Sequence, residues 1–301
     1  MNTHIPALKR GDLIAIVAPA KAIEKEYVKF AQSFLEHKGY RVAIGKHALG
    51  KHYYFSGTDE ERLNDFQEAL DNPEVKAILC ARGGYGAVRI VDSIQWASQL
   101  RAPKWIIGFS DITVFHQRMQ RFGIQSIHAT MPLNFQENSS ESMDTLLAAI
   151  EGKPYSIVSP SNPNNQLGNA TGQLVGGNLS ILYSLLGTDD QINYKNTILF
   201  IEEVGEQLYA IDRMLFAFKK AGILDQISGL IVGGMTSIKD TETPTGFSIE
   251  QCVLEHFNYS KTPICFEFPA GHINDNRALI LGQEVAFTVS ENTTVLSFNQ
   301  D

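Results

Sequence analysis

Residues 105–113, Trp-Ile-Ile-Gly-Phe-Ser-Asp-Ile-Thr, decide how this chain is read. The apolar run Trp105-Ile106-Ile107 has the composition of a parallel strand buried on both faces. It breaks at Gly108 and passes through Ser110 into a segment, Asp111-Ile112-Thr113, of helical character. A serine at a sharp strand-to-helix turn is where α/β enzymes hold a nucleophile. The turn lifts the side chain clear of the sheet and leaves the following N–H free for an oxyanion. The G-x-S-x-G elbow is not reproduced, because Ile112 stands where its second glycine belongs. A helix N-cap at Ser110 or Asp111 accounts for the same residues. The segment alone leaves both readings open.

On either side, strand and helix signals alternate. Leu13–Val17, Val42–Ile44, Val75–Cys80 and Ile124–His128 read as further strands. Ala22–Lys38, Gly86–Ile94, Ile112–Arg121 and Ser139–Ile150 read as helices, as does the stretch that Thr58 caps and that runs to Leu70. This order predicts a parallel sheet with helices on both faces and ligands at the carboxyl ends of the strands. Ser110 and the Gly83-Gly84 turn both fall at such ends. Residues 151–170 carry proline and asparagine without periodicity and read as a linker. It would join an α/β domain over 1–150 to a second domain over 171–301. There, Ile198–Ile201 and Leu230–Val232 are strand-like, Tyr209–Ala221 is helical, and the chain alternates in a β pattern from Ala278 onward.

A net charge of −8 with no Lys or Arg run argues against nucleic acid or an anionic membrane as partner. No stretch reaches the roughly 20 apolar residues of a membrane span. Lys9-Arg10 ahead of Leu13–Ala20 loosely imitates a signal peptide, but Gly11-Asp12 interrupt it and a first buried strand explains it better. Cys80, Cys252 and Cys265, an odd number at unrelated spacings, suggest neither disulfides nor zinc and point to a reducing compartment, hence the cytoplasm.

Three further segments carry chemistry. In Ala81-Arg-Gly-Gly-Tyr-Gly86, Arg89 stands where a dinucleotide loop would place its third glycine. A tight turn remains, as does backbone N–H approaching a substrate oxygen. In Phe200-Ile-Glu-Glu-Val-Gly-Glu206 an acid follows the apolar run directly, and spacing does not separate Glu202 from Glu203. Phe268–Arg277 is a loop holding His272 between Gly271 and Asn274. Among the other histidines no metal-binding spacing occurs, and His128, at a strand end near the same edge, could line a site. Glycine N–H groups, a serine, an acid and a histidine together supply an oxyanion donor, a nucleophile, an orienting carboxylate and a base.

In this order the segments resemble the LD-carboxypeptidase family of serine peptidases, which includes murein tetrapeptide carboxypeptidases and microcin C self-immunity peptidases. Gly11–Pro19, Ala81–Gly86, Ile107–Thr113, Gly172–Leu179, Leu199–Glu206 with Ile211–Leu215, and Gly271–Asn274 carry the resemblance. The fold it implies is α/β: an N-terminal parallel-sheet domain and a C-terminal β-rich α/β domain, with the site at their interface. It places a catalytic triad on Ser110, Glu202 and His272 and an oxyanion hole on the N–H groups of Gly84 and Asp111. No metal or cofactor is implied; a homodimer is. The substrate it implies is a muropeptide, from which terminal D-alanine is removed during cell-wall recycling. Arg82, Gly83 and His128 are further candidates for substrate contact, Arg82 either gripping the terminal carboxylate or bracing the glycine turn. His128-Ala-Thr-Met-Pro132 departs from the family's His-Gly-Pro, and Ile273–Arg277 holds less glycine and proline than the family's histidine loop. Two alternatives stand beside this reading: an acyl-amide or peptidyl-nucleotide hydrolase with the same triad, and a non-catalytic two-domain binding protein.

Overall fold

The structure, a computed structural model, describes residues 5–257 and 260–299. The first half forms β1 (Leu13–Val17), β2 (Arg41–Ile44), β3 (Val75–Cys80), β4 (Trp105–Gly108) and β5 (Ser126–His128), of which β1 and β4 are continuous apolar runs. The second half adds β6 (Tyr155–Pro160), β7 (Gly168–Asn178), β8 (Ile198–Val204), β9 (Gly229–Thr236) and β10 (Ile264–Cys265). The chain closes with β11 (Leu279–Leu281), β12 (Glu284–Val289) and β13 (Thr293–Phe298).

Two sheets result. The first has the order β11-β5-β4-β3-β1-β2, with β1 to β5 parallel and β11 antiparallel at the edge. Its order reverses between β1 and β3, so the loops leaving these two strands flank a crevice of the kind in which open α/β sheets bind ligands. The second has the order β10-β9-β8-β7-β12-β13-β6. Here β7 to β10 run parallel, and β12, β13 and β6 are antiparallel. This is the two-domain α/β architecture expected from the sequence.

Three elements differ from the sequence reading. Residues 151–170 are not all linker: Tyr155–Pro160 pairs with β13 as an edge strand, Ile157 buried and Pro160 at its end. The polar residues around Ile157 hide the alternation, and only the distant partner supplies the hydrogen bonds. β11 belongs to the first sheet, where Leu279 pairs with His128, so the C-terminal part of the chain returns to complete the N-terminal sheet. The first helix begins at Lys25 rather than Ala22. The cap at Thr58 forms as a full capping box with Glu61.

Strand alternation in β8 divides the core. Ile198 and Phe200 join the apolar cluster shared with the first sheet, whereas Leu199 and Ile201 face a second cluster with Ile211, Leu215 and Phe218. The next two residues, Glu202 and Glu203, continue this alternation onto opposite faces.

The helix Thr113–Arg121, which follows Ser110, is tied at three points to the second half of the chain: twice to β7 and once to the turn ahead of β8. Asn178 N–H donates to Thr113 Oγ1 at 3.0 Å, and Gln117 Nε2 donates to Gly176 O at 3.4 Å. Arg118 makes a buried bidentate pair with Asp190, Nη2 lying 2.8 Å from Oδ2. Gly177 permits this approach, since a Cβ there would lie 2.5 Å from Thr113 Oγ1. Asn178 is itself the register partner of Glu202. The segment with Ser110 and the strand with Glu202 are thereby held in one frame.

Candidate active site

Ser110 has φ +64, a left-handed conformation that a residue with a Cβ adopts only under constraint. Its side chain caps no helix, and among the described residues its hydroxyl makes no hydrogen bond. Asp111 is not an N-cap either: its Oδ2 accepts from Ala87 N–H at 2.8 Å, between the segments that follow β4 and β3. That bond fastens the serine turn to the end of the glycine turn. Burial pushes the Asp111 carboxyl above its ordinary range, against the pull of this N–H and of Arg62. Neither cap reading survives the structure.

Gly83 lies directly against the serine. A Cβ at this position would sit 2.9 Å from Ser110 Cβ and 3.1 Å from Ser110 Oγ. Gly84 has φ +105, which turns its backbone as glycine readily allows. Arg62 holds this turn to the loop after β1, donating from Nη1 to the carbonyls of Pro19 and Gly86. Arg82 donates from Nη1 to Ala22 O at 3.1 Å, which is the bracing role considered for it.

Glu202 is fully buried and its Oε2 lies 2.6 Å from His272 Nδ1. The same oxygen accepts the His272 backbone N–H at 3.3 Å. Gly271 makes the approach possible, because a Cβ there would stand 2.7 Å from Glu202 Cβ, and its φ is +107. The loop is held from behind by Thr236 Oγ1, which donates to His272 O at 2.8 Å, and by Asn276 Oδ1, which accepts Gly271 N–H at 2.8 Å. Burial by itself would lower the His272 pKa; the Glu202 carboxylate, through charge and hydrogen bond, with a smaller push from Glu203, outweighs it and raises the pKa above the ordinary 6.5. Glu203 points the other way. It accepts from Asn178 Nδ2 at 2.9 Å and from Ser180 N–H at 2.8 Å, fixing the chain where β7 ends.

The ring of Phe109, next to Ser110, packs edge-on against the His272 ring at 4.8 Å between centroids. The structure thus brings Gly83, Gly84, Ser110, Asp111, Glu202 and His272 to one edge between the two sheets. His128 is the exception. It is wholly buried among Phe109, Phe200 and His116, neither ring nitrogen has a partner on another residue, and burial holds its pKa well below the ordinary value. With no exposed surface, the His128 side chain is not a substrate contact in this structure.

Sequence reading passed over Lys21 and Tyr54, which lie against Gly84: a Cβ on Gly84 would be 3.0 Å from Lys21 Cβ and 2.8 Å from the Tyr54 hydroxyl. The carboxyl-end rule for parallel strands, applied to β1 as it was to β3 and β4, points to Lys21. Of the described residues, Asp212, Glu255 and His256 have ligand atoms within 4.8 Å of one another and could hold a metal ion; none of the residues gathered around Ser110 is among them. The three cysteines are free and buried, and no helix among the described residues is long and apolar enough to cross a membrane.

Comparison with known proteins points to one family over both halves of the chain. Residues 14–129 match the LD-carboxypeptidase N-terminal domain, and residues 171–287 match the LD-carboxypeptidase C-terminal domain. A probable murein peptide carboxypeptidase of Bacillus subtilis is 32% identical over 98% of this chain and 95% of its own length. A murein tetrapeptide carboxypeptidase of Pseudomonas aeruginosa is 29% identical, covering 90% of this chain and 91% of that protein. The crystal structure of a muramoyltetrapeptide carboxypeptidase from Oxalobacter formigenes superimposes with a TM-score of 0.87 at 26% identity, over 96% of this chain and 99% of the other.

Proposed function

The chain belongs to the LD-carboxypeptidase family, and on that premise we propose that it is a serine carboxypeptidase releasing terminal D-alanine from the murein tetrapeptide. The bond cleaved is the L,D amide between diaminopimelate and D-alanine, in cytoplasmic muropeptides, by a homodimeric enzyme that requires no metal or cofactor. The observation that carries this reading is the 2.6 Å contact between buried Glu202 and His272, set beside a serine in a left-handed turn.

Glu202 accepts the Nδ1 proton of His272, which leaves Nε2 with its lone pair free to act as base. Nε2 takes the Ser110 hydroxyl proton as Oγ attacks the scissile carbonyl. Charge develops on the carbonyl oxygen and is held by the N–H groups of Gly84 and Asp111. His272, now doubly protonated, is stabilised by Glu202 and returns the proton to the departing amine of D-alanine. Water then repeats the sequence on the acyl-serine and frees Ser110. In this mechanism the contact between the Ser110 hydroxyl and His272 Nε2 tightens in the substrate complex.

The test is release of D-alanine from purified murein tetrapeptide by wild type and Ser110→Ala, with pentapeptide and an all-L analogue alongside. Release from tetrapeptide alone, lost in the variant, is expected. No release, together with a serine-directed phosphonate adduct on Ser110, would move the substrate to another acyl amide. No adduct would leave a binding protein.

A further inference from the structure

An enzyme that removes one terminal residue must recognise a free carboxylate, and that group lies close to the chemistry. Only the amide nitrogen and one α-carbon separate the scissile carbon from it. The cation that receives it therefore belongs beside the oxyanion donors, at the crevice between the loops leaving β1 and β3.

Four cationic side chains surround the glycine turn. Arg62 is buried and paired with Asp59. Arg89 is paired with the same Asp59, Nη2 lying 2.6 Å from Oδ2. Arg82 is turned onto the Ala22 carbonyl. Arg82 and Lys21 have no acidic partner among the described residues, and of the two only Arg82 already donates its side chain to a protein oxygen. The Lys21 backbone N–H donates to Gly83 O at 3.3 Å, which fixes the start of the side chain against the turn. The stem then runs along Gly84, where a Cβ would be 3.0 Å from Lys21 Cβ and 3.4 Å from Cδ. The ammonium lies over the Tyr54 ring, 4.8 Å from its centroid. Tyr54 is held in place from its own backbone, its carbonyl accepting Ala22 N–H at 3.1 Å. Its hydroxyl reaches the same side of Gly84.

We propose that Lys21 and Tyr54 form the carboxylate subsite, the ammonium pairing with the free terminal carboxylate of the leaving residue and the phenol O–H donating to it. This assignment rests on the carboxypeptidase reading. It gives Gly84 a second reason to be glycine: a side chain there would displace both groups. It leaves Arg82 as the brace of the loop that carries Lys21.

The experiment compares kcat/KM for murein tetrapeptide and for the same peptide with its C-terminal carboxylate converted to the amide. Wild type is expected to prefer the free acid. In Lys21→Met the acid-to-amide ratio should fall ~10- to 100-fold, the worth of a charge-assisted hydrogen bond; Lys21→Arg should retain part of it. Tyr54→Phe should lower the ratio by a smaller factor. Arg82→Met, which loosens the loop but removes no carboxylate partner, should lower acid and amide turnover together and move the ratio far less than Lys21→Met. A Lys21→Met enzyme that loses acid and amide turnover equally, or keeps its preference, would overturn the subsite. So would a preference that follows Arg82 instead. If wild type releases nothing from either peptide, the carboxypeptidase reading falls first and the subsite with it.

Discussion

His272 Nδ1 and Glu202 Oε2 are 2.6 Å apart and join the end of β8 to a loop 70 residues further along the chain. The pair is enclosed on the Glu202 side, where the carboxylate is wholly buried, and open on the His272 side, whose side chain is 20% exposed. A buried orienting acid and an accessible imidazole are what a base working on an outside substrate requires.

Exchanging the two neighbouring acids should separate chemistry from stability. Glu202→Gln is expected to lower kcat roughly 10³- to 10⁴-fold, with little change in melting temperature at alkaline pH where His272 is neutral, since the amide favours the wrong imidazole tautomer. Glu203→Gln should do the reverse. It weakens the bonds to Asn178 and Ser180, costing about 1–3 kcal/mol in urea unfolding while kcat changes little. Equal kinetic losses in the two variants would contradict the division of roles.

The pH profile should carry the mark of the raised His272 pKa. Neutral imidazole is the active form, so kcat/KM rises with pH through the folded-state value, and the acid limb should lie above the ordinary 6.5. In Glu202→Gln the limb should move down. The linkage to stability has the opposite sense. A pKa raised by folding adds stability that is fully present below the unfolded value and is lost as pH climbs through the folded one. Unfolding measured upward from pH 6.5 should therefore show a decline that Glu202→Gln lacks. An acid limb at or below the ordinary value would refute this.

Gly83→Ala tests the packing of the glycine turn on the serine. The added methyl would meet Ser110 Cβ at 2.9 Å and Oγ at 3.1 Å, and Gly83 has no left-handed φ to complicate the result. Activity on tetrapeptide should fall on the order of 100-fold from misplacement of the nucleophile. Labelling of Ser110 by a small phosphonate should slow in parallel. Unaltered labelling would show that the serine yields without consequence.

The frame that joins the sheets should be costly to break at Asp190. Asp190→Ala leaves the Arg118 guanidinium largely buried, with only the exposed carboxylate of Asp92 for a partner. A loss of about 3–5 kcal/mol is expected in urea unfolding. Replacing both partners, Arg118→Met with Asp190→Leu, should recover most of it. If the double variant is as unstable as the single one, the loss comes from packing and not from a stranded charge.

Much of the architecture was legible in the chain itself. Apolar runs alternating with amphipathic stretches specify buried parallel strands and their helices, because both periodicities are local properties of the backbone. The segments that carry Ser110 and Glu202 were visible for the same reason, each ending an apolar run on a polar residue, and His272 stood out in a loop between strand-like segments. Long-range pairing was not visible. β6 and β11 are short, and their hydrogen bonds come from strands more than a hundred residues away in the sequence. The choice between Glu202 and Glu203 needs the other sheet to be present, since only then does one face of β8 look toward the serine. The enclosure of His128 and the isolation of Lys21 are likewise facts about neighbours. The sequence by itself determined which elements form and which residue types stand at their ends. Only the tertiary structure decided which of those ends meet, because a side chain's burial, charge partners and pKa are set by groups that adjacency in the chain does not bring together.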